Sequence, residues 1–237
     1  MRLTHRRLER APVSFFGYAR RCVVRAWLAC LVLVLWGCEK KRADGGDSTG
    51  SGSAVVDEYE REQARFDAER RPDKVIEALA LEPGSRVADV GAGSGLLTVH
   101  LARAVAPNGK VIATDVDGTV LGLLAQRLKA AKLDGVVETR VVAADTPGLE
   151  PATYDAILLA EVDHYFTDPA KWLREASMAL VPGGRIVISN RIYHRAQTMA
   201  AAKKAGLELQ SESTPVTSHF IAVFVVPGRT PTSEPKK

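Results

Sequence analysis

The stretch "DVGAGSG" places an aspartate, Asp89, two residues before the first of three closely spaced glycines, Gly91, Gly93 and Gly95. A short apolar run precedes this stretch and a helix-like pattern follows it, so the glycines lie in a strand-to-helix turn. Glycine backbone can approach a ligand closely, and the free N–H groups at a helix start attract anionic groups. The sequence therefore predicts a small-molecule site at this turn.

The spacing of the glycines separates two classes of ligand. A glycine turn after the first strand of an α/β sheet suits both dinucleotides and S-adenosylmethionine. The dinucleotide fingerprint has its third glycine at the sixth position, where this chain has Leu96, whereas Gly95 occupies the fifth position. The spacing thus argues against a nicotinamide oxidoreductase.

Alternating strand and helix patterns run through the chain from about residue 57. Strands are predicted at "SRVADVG", "KVIATDVD", "VVETRVVAAD", "YDAILLAEVDHYF" and "GGRIVISN", with helices between them. Helical crossovers mean a parallel sheet covered on both faces, and only "LELQSES" with "SHFIAVFVV" reads as a hairpin, turning near Thr214-Pro215. We predict an α/β fold with a doubly wound, seven-stranded, mostly parallel sheet and an antiparallel last strand.

Two helices are predicted ahead of the first strand. Pro72 interrupts the charged stretch "EYEREQARFDAERRPDKVIEALAL" and is well placed in the first turn of a second helix. Because the segment 190–197 is short, we expect "REQARFDAERRP" to cover the pocket.

The ordered motifs resemble those of class I S-adenosylmethionine-dependent methyltransferases, in the type 11 branch related to quinone-biosynthesis C-methyltransferases. "VADVGAGSG" is similar to the glycine-rich motif, "KVIATDVD" to the second motif, "VAAD" to the adenine-contacting segment and "YDAILLAEVDHYFTDP" to the fourth-strand motif. "LVPGGRIVIS" and "SHFIAVFVV" resemble the fifth and last strands. The likeness covers roughly residues 58–226 and implies the Rossmann-like methyltransferase fold, with S-adenosylmethionine as the cofactor.

The resemblance also implies roles for single residues. Asp89 would face the methionine amino group, Asp115 would bind both ribose hydroxyls and Asp145 would contact adenine. Asp117 is expected to cap the next helix. The cofactor-binding set is Asp89, Gly91, Gly93, Gly95, Asp115, Val116, Ala144, Asp145 and Glu161.

The catalytic candidates follow the fourth strand. His164 aligns with the first histidine of a family pair, whereas Tyr165 replaces the second. A sulfonium methyl group is already activated, so a base is needed only if the accepting atom carries a proton. His164 and Asp163 are the predicted catalytic residues, and the alternative for His164 is to fix the loop by hydrogen bonding. No residue pattern indicates a metal site.

The first 37 residues read as a bacterial signal peptide. They hold seven arginines and one glutamate, and their apolar run "AWLACLVLVLW" has about half the length of a membrane-spanning helix. "LWGC" resembles a lipobox, which predicts lipidation of Cys38, and the Gly- and Ser-rich stretch after it predicts a flexible tether. The net charge is +4 for the whole chain and +6 for residues 1–37, which leaves a net charge of −2 for the rest. Because the rest is mildly acidic, no nucleic-acid partner is expected.

These patterns divide the chain into a signal peptide (1–37), a lipidated cysteine with a tether (38–56) and a methyltransferase domain (57–237). We expect an S-adenosylmethionine-dependent methyltransferase with a small-molecule acceptor, anchored in the cell envelope through Cys38. The alternative is a non-catalytic lipoprotein that binds S-adenosylmethionine or uses only the shape of the fold. The sequence does not indicate the oligomeric state or the acceptor.

Overall fold

The computed structural model describes residues 50–229 of the chain. The predicted signal peptide (1–37) and Cys38 lie outside the described residues. Helix α1 (Gly50–Arg70) begins inside the stretch predicted as tether, 38–56, because extending a nucleated helix adds one hydrogen bond for each residue fixed. Within the described range, no helix combines the length and apolar character needed to cross a membrane.

Seven strands form one sheet in the order β3-β2-β1-β4-β5-β7-β6. They are β1 (Arg86–Val90), β2 (Lys110–Asp115), β3 (Val137–Val141), β4 (Tyr154–Ala160), β5 (Leu180–Arg191), β6 (Glu208–Val216) and β7 (His219–Val225). Strand β1 pairs in parallel with β2 and β4, whereas β7 runs antiparallel between β5 and β6. The predicted fold class is confirmed. The order reverses between β1 and β4, which is where such sheets bind ligands.

Helices cover both faces of the sheet. The remaining ones are α2 (Pro72–Leu79), α3 (Thr98–Val105), α4 (Gly118–Ala130), α5 (Pro169–Ser177) and α6 (Arg195–Ala205). One apolar cluster packs α2, α3 and α4 against the sheet, and a second packs α5 and α6. Ile157 and Leu158, successive residues of β4, belong to different clusters because side chains alternate between the faces of a strand.

The helix predicted to start at Pro72 is confirmed, but the predicted hairpin turn near Thr214-Pro215 is wrong by three residues. Strand β6 continues to Val216, and the turn lies at 217–218. Proline lacks an N–H group, yet Pro215 is tolerated because β6 is an edge strand and its register shifts between Ser213 and Val216.

The glycine turn joins β1 to α3 and packs directly on α4. Gly95 has a φ of +89°, and a Cβ atom there would lie 2.2 Å from Cδ1 of Leu124, a fully buried side chain. Gly93 also has a positive φ, +56°, but no atom of the described residues lies within 4 Å of its Cβ position. Gly95 is therefore required for the close packing of the turn on α4, whereas Gly93 borders open space.

Replacing Gly95 with alanine should destabilise the fold by about 2–3 kcal/mol, since left-handed strain adds to overpacking of Leu124. Gly93→Ala is the matched control, because it introduces the strain without the clash and should cost only about 1 kcal/mol. The free energy of unfolding in urea measures both. Equal losses in the two variants would contradict the packing role of Gly95.

Candidate functional site

A cavity of about 450 Å³ opens at the carboxyl ends of the central strands. Small-molecule sites span roughly 300–1,000 Å³, so the volume fits a ligand of that class. Predicted residues that line it are Gly91, Asp115, Val116, Ala144, Asp145 and Glu161, and Tyr165, next to the catalytic candidate His164, lines it as well. The predicted residues that do not line it are Asp89, Gly93, Gly95, Asp163 and His164. The structure thus brings most of the predicted cofactor-binding set to one cavity.

Asp115 ends β2 and is held by backbone hydrogen bonds. Its Oδ2 accepts from the N–H of Gly93 at 3.0 Å, and its Oδ1 accepts from the N–H of Asp117 at 3.1 Å. Each carboxylate oxygen has capacity for a second hydrogen bond, so the fixed group keeps acceptor positions for a ligand. The side chain of Asp117 caps α4 by accepting from the N–H of Thr119 at 2.8 Å, as predicted.

Asp89 is a buried carboxylate, 2% exposed, in β1. The hydroxyl of Thr98, at the start of α3, donates to its Oδ2 at 2.6 Å. Burial raises the pKa of Asp89 to about 6, against the Thr98 hydrogen bond and with a further contribution from the Asp115 carboxylate. Within residues 57–229 no basic side chain pairs with Asp89, so its charge is offset only by a neutral hydroxyl.

Another part of the cavity wall is apolar. The rings of Phe166 and Trp172 stack with their centroids 4.4 Å apart and an interplanar angle of 11°. Both rings line the cavity, as do Val116 and Ala144. Such a wall suits a flat, apolar ring of a ligand.

Asp145 lies on the loop after β3, with a left-handed backbone (φ 62°). Its carboxylate accepts hydrogen bonds from both the N–H and the hydroxyl of Thr167, each at 2.7 Å. The Thr167 hydroxyl and N–H hold the pKa of Asp145 below its usual range. This pair fixes the loop against the start of the α5 region and so sets the shape of the cavity wall.

Glu161 follows β4, lines the cavity and also has a left-handed backbone, with φ 54°. Its carboxylate pairs with Arg70 at the end of α1 and with Nε of Arg191, at 3.1 Å, at the end of β5. Nε2 of the buried His219 lies 3.4 Å from Oε1, without hydrogen-bond geometry. Burial disfavours the charged form, but the guanidinium groups outweigh it, and the pKa of Glu161 lies below its ordinary value.

The contact of Arg70 with Glu161 tests the prediction that the segment "REQARFDAERRP" covers the pocket. The segment "REQARFDAERRP" reaches the rim of the cavity through this ion pair, but the residues that line the cavity all come from the sheet edge, its loops and α5. Helix α1 instead contacts α3 and α4, where Asp67 pairs with Nε2 of His100 at 2.8 Å and the Tyr59 hydroxyl donates to Oε1 of Gln126 at 3.0 Å. The segment therefore flanks the cavity and does not line it.

Asp163 is buried, and its carboxylate is used within the fold. Oδ1 accepts from Nδ2 of Asn190 at 2.6 Å, and Oδ2 accepts from the hydroxyl of Thr198 in α6. The short 3-10 turn Asp163–Tyr165 places this carboxylate against β5 and α6. Asp163 therefore joins three elements and is not presented to the cavity, unlike the catalytic placement predicted from sequence.

Asn190 fixes the tautomer of His164. Its Oδ1 accepts from the N–H of Arg191 at 2.7 Å, so its Nδ2 must be the donor toward Asp163 and toward Nδ1 of His164, at 3.0 Å. A ring nitrogen that accepts carries no proton, so the neutral ring holds its proton on Nε2. Burial and the nearby His194 lower the pKa of His164, which favours this neutral form.

This tautomer restricts the hydrogen-bonding and acid–base roles that are open to His164. In the neutral ring the basic nitrogen, Nδ1, is occupied by the Asn190 amide. The other nitrogen carries the proton and can only donate. His164 is therefore arranged as a hydrogen-bond donor that also fixes its loop, and its catalytic role stays a prediction.

Sequence reasoning missed two residues of this region, Asn190 and His194, and the contact of Arg70 with Glu161. Asn190 had a usable signal, because it is a polar residue near the end of the buried strand "GGRIVISN", where strands approach a ligand. Arg70 lies in the segment predicted to cover the pocket, but its contact and that of His194 depend on how α1 and the turn after β5 lie. In the part of the chain that the structure describes, no group of His, Cys, Asp or Glu is placed to hold a metal ion.

Comparisons with known proteins relate this site to one enzyme class. Residues 88–186 match the family model described as a methyltransferase domain. The chain is 29% identical over 163 residues to a ubiquinone biosynthesis O-methyltransferase of Xanthomonas campestris, covering 66% of this chain and 63% of that protein. It is 29% identical over 113 residues to a ubiquinone/menaquinone biosynthesis C-methyltransferase of Cronobacter sakazakii, covering 48% and 45%. The chain thus spans less than two thirds of these relatives.

Solved structures share the fold. An S-adenosylmethionine-dependent methyltransferase from Aquifex aeolicus superposes with a TM-score of 0.62 at 21% identity, over 71% of this chain and 97% of that one. A geranyl diphosphate C-methyltransferase from Streptomyces coelicolor, solved with S-adenosyl-L-homocysteine, gives 0.59 at 15% identity, over 78% and 88%. Residues 88–186 are therefore similar to a methyltransferase domain, and the chain has the Rossmann-like fold of these solved methyltransferases.

Proposed function

We propose that the chain is an S-adenosylmethionine-dependent methyltransferase that acts on a small-molecule acceptor. The observation that carries this proposal is the Asp115 carboxylate, which lines the cavity, is fixed by two backbone N–H groups and keeps one acceptor position on each oxygen. Two vicinal ribose hydroxyls match that arrangement. The methyltransferase-domain match and the shared fold support the same activity.

The other residues fit the remaining parts of the cofactor. The Asp89 carboxylate, which has no cationic partner among the described residues, would be stabilised by a cationic amino or sulfonium group. The stacked Phe166 and Trp172 wall suits the flat adenine ring. When bound, S-adenosylmethionine supplies a methyl group activated on sulfur, so the protein's task is chiefly to position the acceptor.

The acceptor side offers positioning groups and a donor. Glu161 is held ionised between Arg70 and Arg191 at the rim of the cavity. The Nε2–H of His164 can donate a hydrogen bond to an oxygen of the acceptor. An accepting atom that carries no proton needs no base for methyl transfer. Ubiquinone biosynthesis and geranyl diphosphate methyltransferases are named for small molecules, which supports a small-molecule acceptor here.

Asp115→Ala should weaken S-adenosylmethionine binding by about 1.5–3 kcal/mol, the scale of hydrogen bonds to a charged group. Calorimetric titration of the purified protein measures the change. Asp117→Ala is the matched control, because it removes a nearby carboxylate that caps α4 and lies outside the cavity. Its affinity should be unchanged although its stability falls, and equal losses of affinity in both variants would remove Asp115 from the site.

Asp89→Asn should have opposite effects on stability and on binding. The pKa of the folded protein's Asp89, about 6, lies above the ordinary 3.8, so ionisation destabilises the fold and this loss grows as pH rises from about 4 through 6. The variant should therefore be about 1–3 kcal/mol more stable than wild type at pH 7.5 and nearly equal to it at pH 4. Denaturation at the two pH values measures this.

The same variant should bind S-adenosylmethionine at least tenfold more weakly, since the carboxylate proposed to stabilise the bound cation is lost. Asp134→Asn serves as the control, because Asp134 is exposed and should change neither property. An Asp89→Asn protein that is no more stable at pH 7.5, or that binds as well as wild type, would contradict the assigned role.

The alternative is a binding module that retains the cofactor without transferring its methyl group. Release of S-adenosylhomocysteine in the presence of a cell-envelope extract distinguishes the two. Tight binding of S-adenosylmethionine with no acceptor-dependent release would favour the binding module.

We further propose that the protein is exported and anchored in the cell envelope, on the basis of the signal-peptide pattern and the lipobox-like "LWGC". A Cys38→Ser variant should lose incorporation of a labelled fatty acid and accumulate with residues 1–37 uncleaved. Cys30→Ser is the control, because it removes a cysteine within the apolar run and should be processed normally. A wild-type protein that fractionates as soluble with residues 1–37 intact would overturn the anchoring.

A further inference from the structure

Four aromatic rings form a continuous row beside the cavity, in the order Tyr165, His164, His194, Tyr193. Successive ring centroids lie 4.1, 4.1 and 4.3 Å apart, and the two imidazoles stack at an interplanar angle of 15°. The rings belong to two 3-10 turns, Asp163–Tyr165 after β4 and Ile192–His194 after β5. Strands β4 and β5 are parallel neighbours, so both turns lie at the same edge of the sheet.

The row is open to solvent at both ends and continuous with the cavity. Tyr165 is 77% exposed and Tyr193 is 70% exposed, and Ile192 beside them is 43% exposed. Tyr165 is also a wall of the cavity that we assign to S-adenosylmethionine. Single exposed aromatic residues are ordinary on a protein surface, but a contiguous apolar patch at the mouth of a cavity marks a binding surface.

The His164 ring at the centre of the row is held in its neutral form. Asn190 donates to Nδ1 of His164, which keeps that ring in its neutral tautomer. A second positive ring stacked at 4.1 Å would repel a protonated His164, so the contact with His194 acts in the same direction. The row therefore presents aromatic faces and edges, with a neutral imidazole at His164.

We propose that this row is the acceptor subsite and that the acceptor carries a planar, unsaturated ring. The inference rests on the proposed function, because the row is placed for an acceptor only if the cavity that Tyr165 lines binds S-adenosylmethionine. Aromatic rings prefer offset-stacked or edge-to-face partners at centroid separations of 4.5–7 Å, and both exposed tyrosines offer such contacts. A saturated ring of the same size has no π-system to form them.

The test compares two probes of similar size with one hydroxyl each, 2-naphthol and its saturated counterpart decahydro-2-naphthol. Ligand-observed NMR titration of the purified full chain, with and without S-adenosylhomocysteine, gives both dissociation constants. The aromatic probe should bind at least fivefold more tightly. Tyr165→Leu and Tyr193→Leu should each weaken 2-naphthol binding about three- to tenfold and reduce the preference for the aromatic probe.

Met178→Leu is the matched control, because Met178 is an exposed apolar side chain at the end of α5, outside the row. The Met178→Leu substitution should leave the dissociation constants of both probes unchanged. Equal binding of the two probes, or a preference that survives both tyrosine substitutions, would overturn the subsite.

S-adenosylmethionine titrated into the same proteins separates this inference from the proposed function. Wild-type protein that does not bind S-adenosylmethionine would overturn the proposed function and with it the acceptor assignment. If wild-type protein binds S-adenosylmethionine but does not prefer the aromatic probe, the acceptor subsite alone is overturned. Normal cofactor affinity in the two tyrosine variants, together with weakened 2-naphthol binding, supports it.

Discussion

The hydrogen bond from the Gly93 N–H to the Asp115 carboxylate joins the two strand ends between which the cavity opens. The N–H groups of Gly91 and Ala92 both donate to the carbonyl of Thr114, at 2.8 and 3.0 Å, so three successive donors of the glycine turn are fixed by the end of β2. These three hydrogen bonds hold the turn against the end of β2 without a ligand. The position of every ligand-facing group on β1 and β2 depends on that constraint.

The strand ends were predictable, but the partners of their side chains were not. Glycine spacing, apolar runs and acidic residues at strand ends follow local rules, which is why Gly91, Asp115 and Asp145 fall on the same cavity. Asp163 follows a strand end in the same way, yet it is buried because the 3-10 turn after β4 rotates it onto Asn190, 27 residues later in the chain. Such a contact depends on the packing of β5, which no local pattern specifies.

The N-terminal helix is tied to the site at two places by ion pairs. Arg70 pairs with Glu161 at the rim of the cavity, and the buried Arg127 of α4 pairs with Glu62 while its Nε donates to the carbonyl of Ser94 in the glycine turn, at 2.8 Å. Both contacts join α1 to segments that also shape the ligand site. Displacing α1 would leave the Arg127 guanidinium, which is 4% exposed, without its carboxylate partner, and that is costly. The helix is therefore part of the site's architecture.

Several residues around the cavity carry a free-energy cost, which bears on whether the domain binds a ligand or serves only as a scaffold. Asp89 keeps a buried carboxylate with no cation beside it among the described residues, and Asp145 and Glu161 hold left-handed backbones of the kind that costs about 1–3 kcal/mol each. A domain used only for its shape would be more stable with an amide in place of the Asp89 carboxylate, because the cost of burying the charge would be absent. Ligand binding supplies a reason for all three, because a cation would neutralise Asp89 and the strained residues form the cavity wall. The distribution of these energetic costs therefore favours a ligand-binding site over a scaffold that is used only for its shape.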